Sequence, residues 1–306
     1  MPNILQKIQI TKEISLLKRH KFPYCNSLLI EDDIVAVIDA GFGNELIKKF
    51  FQENRIDILI TSHVHPDHVA GNCVIAAISE PEIFVPEHDI GLAQSFEKLK
   101  KVIGIWGQPV ENAWDVVIKD TLDFHGYEYG AENTYKDGHV FDLGKVKLQA
   151  IHAPGHSDDH YCFFVEKEDL FFASDLGIDS FGPWYGYKNS NLTDYIQTLK
   201  SIKKMGHGRC TSSHFDNILY DPDVWLDRCL KLISTREDKI LRLLWKKPDS
   251  IIELAKNQII YNAVENFQWP MKDFIIHFEQ NMIKEHLKIL LNSGRVKQNN
   301  GLYFAI

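Results

Sequence analysis

The sequence Thr61-Ser-His-Val-His-Pro-Asp-His68 carries three histidines and a carboxylate within six residues. An apolar run, Ile56 to Ile60, precedes it and predicts a buried strand that ends at this cluster. Side chains alternate along a strand, so His63 and His65 point to the same side if the extended conformation continues to Pro66. Imidazole and carboxylate are ligands that suit zinc and, less selectively, iron or manganese. The stretch therefore predicts a metal site at a strand end.

The composition is that of an ordinary globular protein. The chain has 306 residues, of which 44% are hydrophobic and 25% charged, which fits one large domain with a small appendage. The net charge of −8 argues against a protein that covers itself with nucleic acid. The five cysteines form no C-x-x-C pair, and no apolar run approaches the ~20 residues of a membrane span. We expect a cytoplasmic protein that does not enter a membrane.

The pattern divides the chain into residues 1–222 and residues 223–306. The first part shows short β-rich runs and predicted helices at Asn191–Met205 and at about 44–53, 69–79 and 91–102. Residues 89–135 are otherwise the least regular stretch and are dense in aromatics between 106 and 135. The second part predicts helices at Val224–Leu244 and Met271–Leu291 and then a hairpin around Asn299-Asn-Gly301. Helices followed by a terminal hairpin indicate a small winged-helix-like domain.

Three further ligand candidates follow strand-like segments. His156 lies in Ala153-Pro-Gly-His-Ser157, Asp175 in Phe172-Ala-Ser-Asp-Leu176, and His214 in Thr211-Ser-Ser-His-Phe215. Strand ends present functional groups on a rigid scaffold. Each candidate therefore lies where a loop presents functional groups.

Together with Asp39 in Val37-Ile-Asp-Ala-Gly41, these motifs match in order the five motifs of the metallo-β-lactamase superfamily, which the chain resembles over roughly residues 8–220. By that resemblance the fold is α+β, a four-layer αββα sandwich. The resemblance implies one metal ion on His63, His65 and His156, a second on Asp67, His68 and His214, Asp175 as the bridge between them, and Asp39 behind the ligands. Two departures from the family pattern are Phe215, where Gly is more common, and Ala173-Ser174, where Thr-Gly is common.

The implied activity is that of a hydrolase with two divalent metal ions, zinc first and iron or manganese as alternatives. Two such ions ~3.5–4 Å apart give a bridging hydroxide at neutral pH and polarise the substrate's oxygen. Asp67 is the candidate catalytic residue, because it can orient the hydroxide and accept its proton. The aromatic segments Asp179–Tyr187 and 106–135 either line an apolar pocket over the site or simply pack the loops. A pocket there would favour a small molecule with an apolar part, namely an ester, thioester or lactone.

Other functions stay open at this point. One alternative is a phosphodiesterase or endoribonuclease of the same fold, another is a mononuclear iron dioxygenase, and a third is a metal-bearing sensor without activity. The tail Glu285–Val296 resembles the C-terminal winged helix of the lactamase-β-2-like branch. Its helix carries few basic residues, so we expect packing or formation of a homodimer there, with a nucleic-acid partner as the alternative.

The remaining histidines are not expected to be ligands. His152 and His160 are predicted in the core or behind the ligands. The others are predicted at the surface or at helix caps: His20, His88, His125, His139, His207, His277 and His286.

Overall fold

A computed structural model describes residues 5–19, 21–87, 91–92, 95–122, 129–131 and 133–306. The predictions for five aromatic or histidine residues lie outside the described residues: His20, His88, Phe124, His125 and Tyr127.

In the described part of the chain, seven strands form the first sheet, in the order β1 to β7. The strands are β1 Lys7–Gln9, β2 Ile14–Leu17, β3 Ser27–Glu31, β4 Val35–Ile38, β5 Ile58–Ile60, β6 Glu82–Pro86 and β7 Asn133–Tyr135. Strands β1 to β4 are antiparallel neighbours, whereas β4 to β7 run parallel. Parallel strands need crossover connections, and helices supply them. These helices are α1 Asn44–Phe51, α2 Pro66–Val69, α3 Asn72–Ser79, α4 Phe96–Val102 and α5 Glu111–Leu122.

The second sheet has the order β13-β12-β11-β10-β9-β8 among the residues that the structure describes. Its strands are β8 Val140–Asp142, β9 Lys147–His152, β10 Tyr161–Val165, β11 Leu170–Phe172, β12 Arg209–Ser212 and β13 Phe215–Leu219. Helix α6, Leu192–Met205, connects β11 to its parallel neighbour β12. The side chain of Asn191 caps this helix by accepting hydrogen bonds from the amides of Thr193 and Asp194.

Alternation along the strands builds the layers. Leu28 and Phe172 face an apolar core that both sheets share. Their neighbours point the other way: Leu29 packs with the helices outside the first sheet, and Phe171 packs with those outside the second. Since side chains alternate with period two, each sheet buries both faces. The result is the predicted αββα sandwich, which is confirmed.

The C-terminal part is helical and ends in a hairpin. Its elements are α7 Pro222–Lys246, α8 Ile251–Ala255, α9 Met271–Asn292, β14 Val296–Asn299 and β15 Leu302–Ala305. Leu199 of α6, Ile240 of α7 and Met282 of α9 belong to one apolar cluster. The C-terminal helices therefore share a core with the outer layer of the second sheet. The division into residues 1–222 and 223–306 and the winged-helix comparison stay predictions.

Two elements differ from the sequence-based expectation. The stretch predicted to be irregular contains α5, whose buried residues Trp114, Val117, Ile118 and Leu122 lie at helical spacing. Strand β13 directly follows His214 and pairs antiparallel with β12.

Each helix within the described ranges is too short or too polar to span a lipid bilayer.

Candidate metal centre

The first cluster leaves β5 at the edge where β4, β5 and β6 end. The hydroxyl of Tyr135 donates a hydrogen bond to the carbonyl oxygen of Thr61 (2.7 Å) and fixes the exit from the strand. Pro66 is the first residue of α2, a position that suits its fixed φ, and His65 is the N-cap. The amide of His68 then donates to the carbonyl oxygen of His65 (3.0 Å). This tight turn directs the side chains of the cluster into one cavity.

Three histidines form the first group of donors. His63 Nε2 lies 3.0 Å from His65 Nδ1, and His156 Nε2 lies 2.9 Å from the same atom. All three side chains are buried. The three ring nitrogens could hold one metal ion together.

Two carboxylates and two histidines form the second group. His68 Nε2 lies 3.5 Å from Asp67 Oδ2, and His214 Nε2 lies 3.2 Å from the same oxygen. Asp175 completes the group, with Oδ2 3.4 Å from His214 Nε2. The four side chains could hold a second ion.

Asp175 stands between the two groups. Its Oδ1 lies 3.2 Å from His68 Nε2 in the second group, and its Oδ2 lies 3.5 Å from His156 Nε2 in the first. The carboxylate can therefore reach both groups at once. Asp175 and His214 come together because they follow the parallel neighbours β11 and β12.

Asp39 lies behind the donors and orients them. Its Oδ2 is 2.8 Å from His68 Nδ1, which leaves Nε2 of that ring facing the second group. The same carboxylate accepts hydrogen bonds from the amide and the hydroxyl of Ser62 (both 2.8 Å). Ser62 Oγ in turn lies 3.0 Å from His63 Nδ1, so Nε2 of His63 faces the first group. Hydrogen bonds of this kind fix the tautomer and ring orientation of ligating histidines.

Two further histidines act on the backbone of the centre. His160 Nε2 accepts a hydrogen bond from the amide of Asp175 (3.0 Å), and its Nδ1 lies 2.8 Å from the carbonyl oxygen of Ala153. His152 Nε2 lies 2.8 Å from the carbonyl oxygen of Asp158.

Arg19 contacts the centre without having been predicted. Its Nη1 lies 2.9 Å from His214 Nδ1, and its Nη2 donates to the carbonyl oxygen of the same residue (3.1 Å). The guanidinium also forms an ion pair with Asp216, whose Oδ1 lies 3.2 Å from Arg19 Nε. Arg19 lies 195 positions from His214 in the chain, so no local pattern signals the pair.

The electrostatics separate the two groups. Burial lowers the pKa of His65 and of His156 from 6.5 to about 4, so both rings are neutral and their lone pairs are free at neutral pH. Burial also favours a low pKa for His214, but Asp175 and Asp67 outweigh it and raise the pKa to about 9. Asp67 shows the reciprocal effect: burial acts to raise its pKa, and His68 and His214 lower it. Without metal, protons balance the carboxylates of the second group.

The residues fit divalent metal ions. His68 Nε2 and Asp175 Oδ1 are buried without a hydrogen-bond partner, although they lie 3.2 Å apart. An unsatisfied buried pair of this kind is costly, and a cation that both atoms coordinate removes that cost. Imidazole and carboxylate donors suit zinc and related first-row ions.

The backbone around the centre is strained and tightly packed. Asp39 and Ser174 have φ of 61° and 48°, in the left-handed region that non-glycine residues rarely adopt. Gly41 has no space for a side chain, since a Cβ there would lie 1.8 Å from the carbonyl oxygen of Asp67. Such strain is typical of sites where geometry serves a function.

Comparison with known proteins agrees with this geometry. The profile of the Metallo-beta-lactamase superfamily matches residues 20–214. A metallo-beta-lactamase family protein from Thermus thermophilus superposes with a TM-score of 0.75 at 18% identity, covering 97% of this chain and 100% of that one. At this identity the likeness shows the fold alone.

Two curated relatives carry hydrolase names. An "Atrochrysone carboxyl ACP thioesterase" from Aspergillus fumigatus is 35% identical over 178 residues, which is 56% of this chain and 44% of that protein. A "Hydroxyacylglutathione hydrolase" from Francisella philomiragia is 25% identical over 179 residues, which is 58% of this chain and 56% of that protein. The chain thus spans about half the length of these curated relatives.

Proposed function

The chain belongs to the metallo-beta-lactamase superfamily, and from that premise we propose that it is a hydrolase that uses two divalent metal ions to cleave a small thioester. The position of Asp175 within 3.5 Å of donors in both groups supports a two-metal centre more than any other observation. Esters and lactones are the related substrates.

In this proposal the first ion is held by His63, His65 and His156, and the second by Asp67, His68 and His214, with Asp175 shared. Zinc is the expected metal in both positions. When bound, the two ions lower the pKa of a water molecule and withdraw electron density from the scissile carbonyl oxygen.

Asp67 is the proposed catalytic base. Its Oδ2 faces His68 and His214 at 3.5 and 3.2 Å, and these two rings lower its pKa against the effect of burial, so the carboxylate is ionised at neutral pH. An ionised oxygen at this position accepts a hydrogen bond from the attacking water and can take its proton. The same proton then becomes available to the departing thiolate.

The substrate class rests on two observations. The relatives named above act, by their names, on an acyl carrier thioester and on hydroxyacylglutathione, which are both thioesters. In addition, the aromatic rings of Trp184 and Tyr187 stand 6.2 and 4.8 Å from the ring of His65. The partly exposed Trp184 would offer an apolar acyl group a matching surface beside the proposed metal ions, with the buried Tyr187 packed against it. Residues 1–222 would form the catalytic domain.

The test combines metal analysis with a substrate screen. We expect about two equivalents of a zinc-like metal by elemental analysis of the untagged protein. We expect thiol release from acyl thioesters, lost by at least ~100-fold in Asp67→Ala and Asp175→Ala. The control is Asp194→Ala, an exposed carboxylate of α6, which should leave both results unchanged.

Two outcomes contradict the proposal. One equivalent of iron without hydrolysis would indicate a mononuclear dioxygenase. Two equivalents with cleavage of phosphodiesters but not of acyl thioesters, esters or lactones would indicate a phosphodiesterase.

A further inference from the structure

The segment Asp179–Tyr187, between β11 and α6, connects the metal centre to the C-terminal helices. The carbonyl oxygen of Trp184 accepts a hydrogen bond from His156 Nδ1 (3.0 Å). This contact fixes the ring so that Nε2 of His156 faces His65 Nδ1 at 2.9 Å. The orientation of a proposed metal ligand therefore depends on where the backbone of Trp184 lies.

Side chains from α7 and α9 hold this segment by its carbonyl oxygens. Arg228 of α7 donates to Asp179 and Ser180 (2.6 and 2.7 Å). Asn281 of α9 donates to Gly186 (2.8 Å). These contacts anchor the two ends of the segment.

Arg236 of α7 holds the middle of the same segment. Its Nη1 donates to the carbonyl oxygen of Pro183 (2.7 Å) and to the hydroxyl of Tyr185 (3.0 Å). These two partners are the residues on either side of Trp184. The hydroxyl of Tyr185 also lies 2.7 Å from Nε2 of the buried His286.

The environment of Arg236 is costly for a charge. The residue is only 6% exposed, and its guanidinium lies over the rings of Phe181 and Tyr185 at 5.5 and 5.7 Å. A buried charge is unfavourable unless hydrogen bonds and ring faces compensate it, and a residue kept in such a place needs a reason beyond packing. Its hydrogen bonds to Pro183 and Tyr185 supply that reason.

We propose that Arg236 is a positioning residue for the metal centre. It holds the carbonyl oxygen of Pro183 and the side chain of Tyr185, on either side of Trp184, and through the Trp184 carbonyl oxygen it fixes the ring of His156. This inference rests on the proposed metal binding and extends it to the C-terminal helices. Groups behind a ligating histidine typically change metal affinity by ~10–100-fold when they are removed. The C-terminal region would thus be part of the hydrolase and not a separate binding module.

The experiment measures metal affinity in the full-length protein, without any substrate. Metal-free protein is titrated with Co²⁺ and followed by its visible absorption, and with Zn²⁺ against a chromophoric chelator. In Arg236→Met we expect one of the two equivalents to bind ~10–100-fold more weakly while the other is retained. Arg236→Lys keeps one donor and should recover part of the affinity.

A matched control and a second variant make the result decisive. Arg228→Met removes a cation from the same helix and frees the carbonyl oxygens of Asp179 and Ser180. Because these two residues do not flank Trp184, the affinities for both metal equivalents should stay at the wild-type level. Tyr185→Phe keeps the charge of Arg236 but removes one of its acceptors, and should weaken the same equivalent as Arg236→Met. If circular dichroism shows that Arg236→Met does not fold, the metal affinities of Arg236→Lys and Tyr185→Phe test the inference in its place.

Wild-type affinity for both equivalents in the folded Arg236 and Tyr185 variants would overturn the inference and leave the proposed function intact. Failure of the wild-type protein to bind two equivalents would overturn the proposed function itself.

Discussion

Ser174 Oγ donates a hydrogen bond to Ser62 Oγ across 2.8 Å and joins the ends of the two sheets at the metal centre. Ser62 follows β5 of the first sheet, and Ser174 follows β11 of the second. Ser174 adopts a φ of 48°, in the left-handed region that favours glycine. The chain therefore accepts a strained backbone together with an additional hydrogen bond.

Substitutions at Ser174 should separate these two effects. Ser174→Ala keeps the left-handed backbone and loses the hydrogen bond, so we expect the free energy of unfolding to fall by about 1 kcal/mol. Ser174→Gly loses the same bond but relieves the strain, which is worth about 1 kcal/mol, and should unfold near the wild-type midpoint. Urea unfolding of the metal-free proteins measures both. Equal destabilisation by Ala and Gly would show that the backbone at this position is not strained.

Removing the hydroxyl of Ser62 should weaken metal binding. Ser62 Oγ accepts from His63 Nδ1 and donates to Asp39, so Ser62→Ala frees the ring of His63 to rotate. We expect ~10–100-fold weaker binding of one equivalent in a competition titration with Zn²⁺. The control is Ser212→Ala, because that buried hydroxyl donates to the carbonyl oxygen of Ile178 and contacts no proposed ligand. If Ser62→Ala binds Zn²⁺ as tightly as Ser212→Ala does, Ser62 does not orient a metal ligand.

Local patterns were enough for much of the fold. The prediction that the chain belongs to the metallo-β-lactamase superfamily and forms an αββα sandwich is confirmed. Helix α6 begins one residue after its predicted start because Asn191 is the N-cap, and the predicted strand Ile56–Ile60 shortens to Ile58–Ile60. These elements were predictable because apolar spacing and capping residues agree with the tertiary structure.

Long-range packing explains what the sequence did not predict. His286 was expected at the surface or at a cap, but it is buried against Tyr185, 101 positions earlier in the chain. Arg19 beside His214 and the bond between Ser62 and Ser174 likewise join distant segments. Such contacts depend on how sheets and helices stack, which no window of sequence contains. The grouping of Asp175 and His214 with the first cluster came from family resemblance, and their role as ligands stays a prediction.

The stability of the metal-free protein should depend on pH in both directions. The buried rings of His65 and His156 have a pKa of about 4 in the folded chain against 6.5 ordinarily, so their contribution is complete above pH 6.5 and is lost as the pH falls towards 4. His214 behaves oppositely: burial opposes its charge, Asp175 and Asp67 outweigh burial, and the pKa rises to about 9. Its contribution is complete below 6.5 and is lost as the pH rises through 9.

We therefore expect the urea midpoint of chelator-treated protein to pass through a maximum near pH 6.5. The variant His214→Gln should show a shallower decline on the alkaline side, where the raised pKa of His68 still contributes, and should keep the decline on the acid side. A wild-type midpoint that rises steadily from about pH 5 to about pH 9 would contradict the assignment of charge to His214.

Trp184 should bind the acyl group of the substrate, whereas Tyr187 should only pack against the ring of Trp184. The ring of Trp184 is partly exposed beside His65, and its Nε1 donates to the hydroxyl of Tyr261 (2.6 Å). Tyr187 is only 7% exposed, and its hydroxyl accepts from Nε1 of Trp114 (3.0 Å). Only the first of these rings therefore offers surface to a ligand.

In Trp184→Ala we expect KM for a thioester with a long apolar acyl group to rise by ~10-fold, which corresponds to about 1.4 kcal/mol of lost apolar contact. KM for the acetyl thioester should change little, because an acetyl group is too small to reach the ring. Trp184→Phe keeps an apolar ring and should retain most of the affinity.

Tyr187→Phe should lower the melting temperature without changing KM, since it removes only the acceptor of the Trp114 hydrogen bond. Metal content is measured in each variant, because the carbonyl oxygen of residue 184 holds His156 whatever its side chain. If KM for the long-chain substrate is unchanged in a fully metal-loaded Trp184→Ala protein, the aromatic rings pack the segment and do not select the substrate.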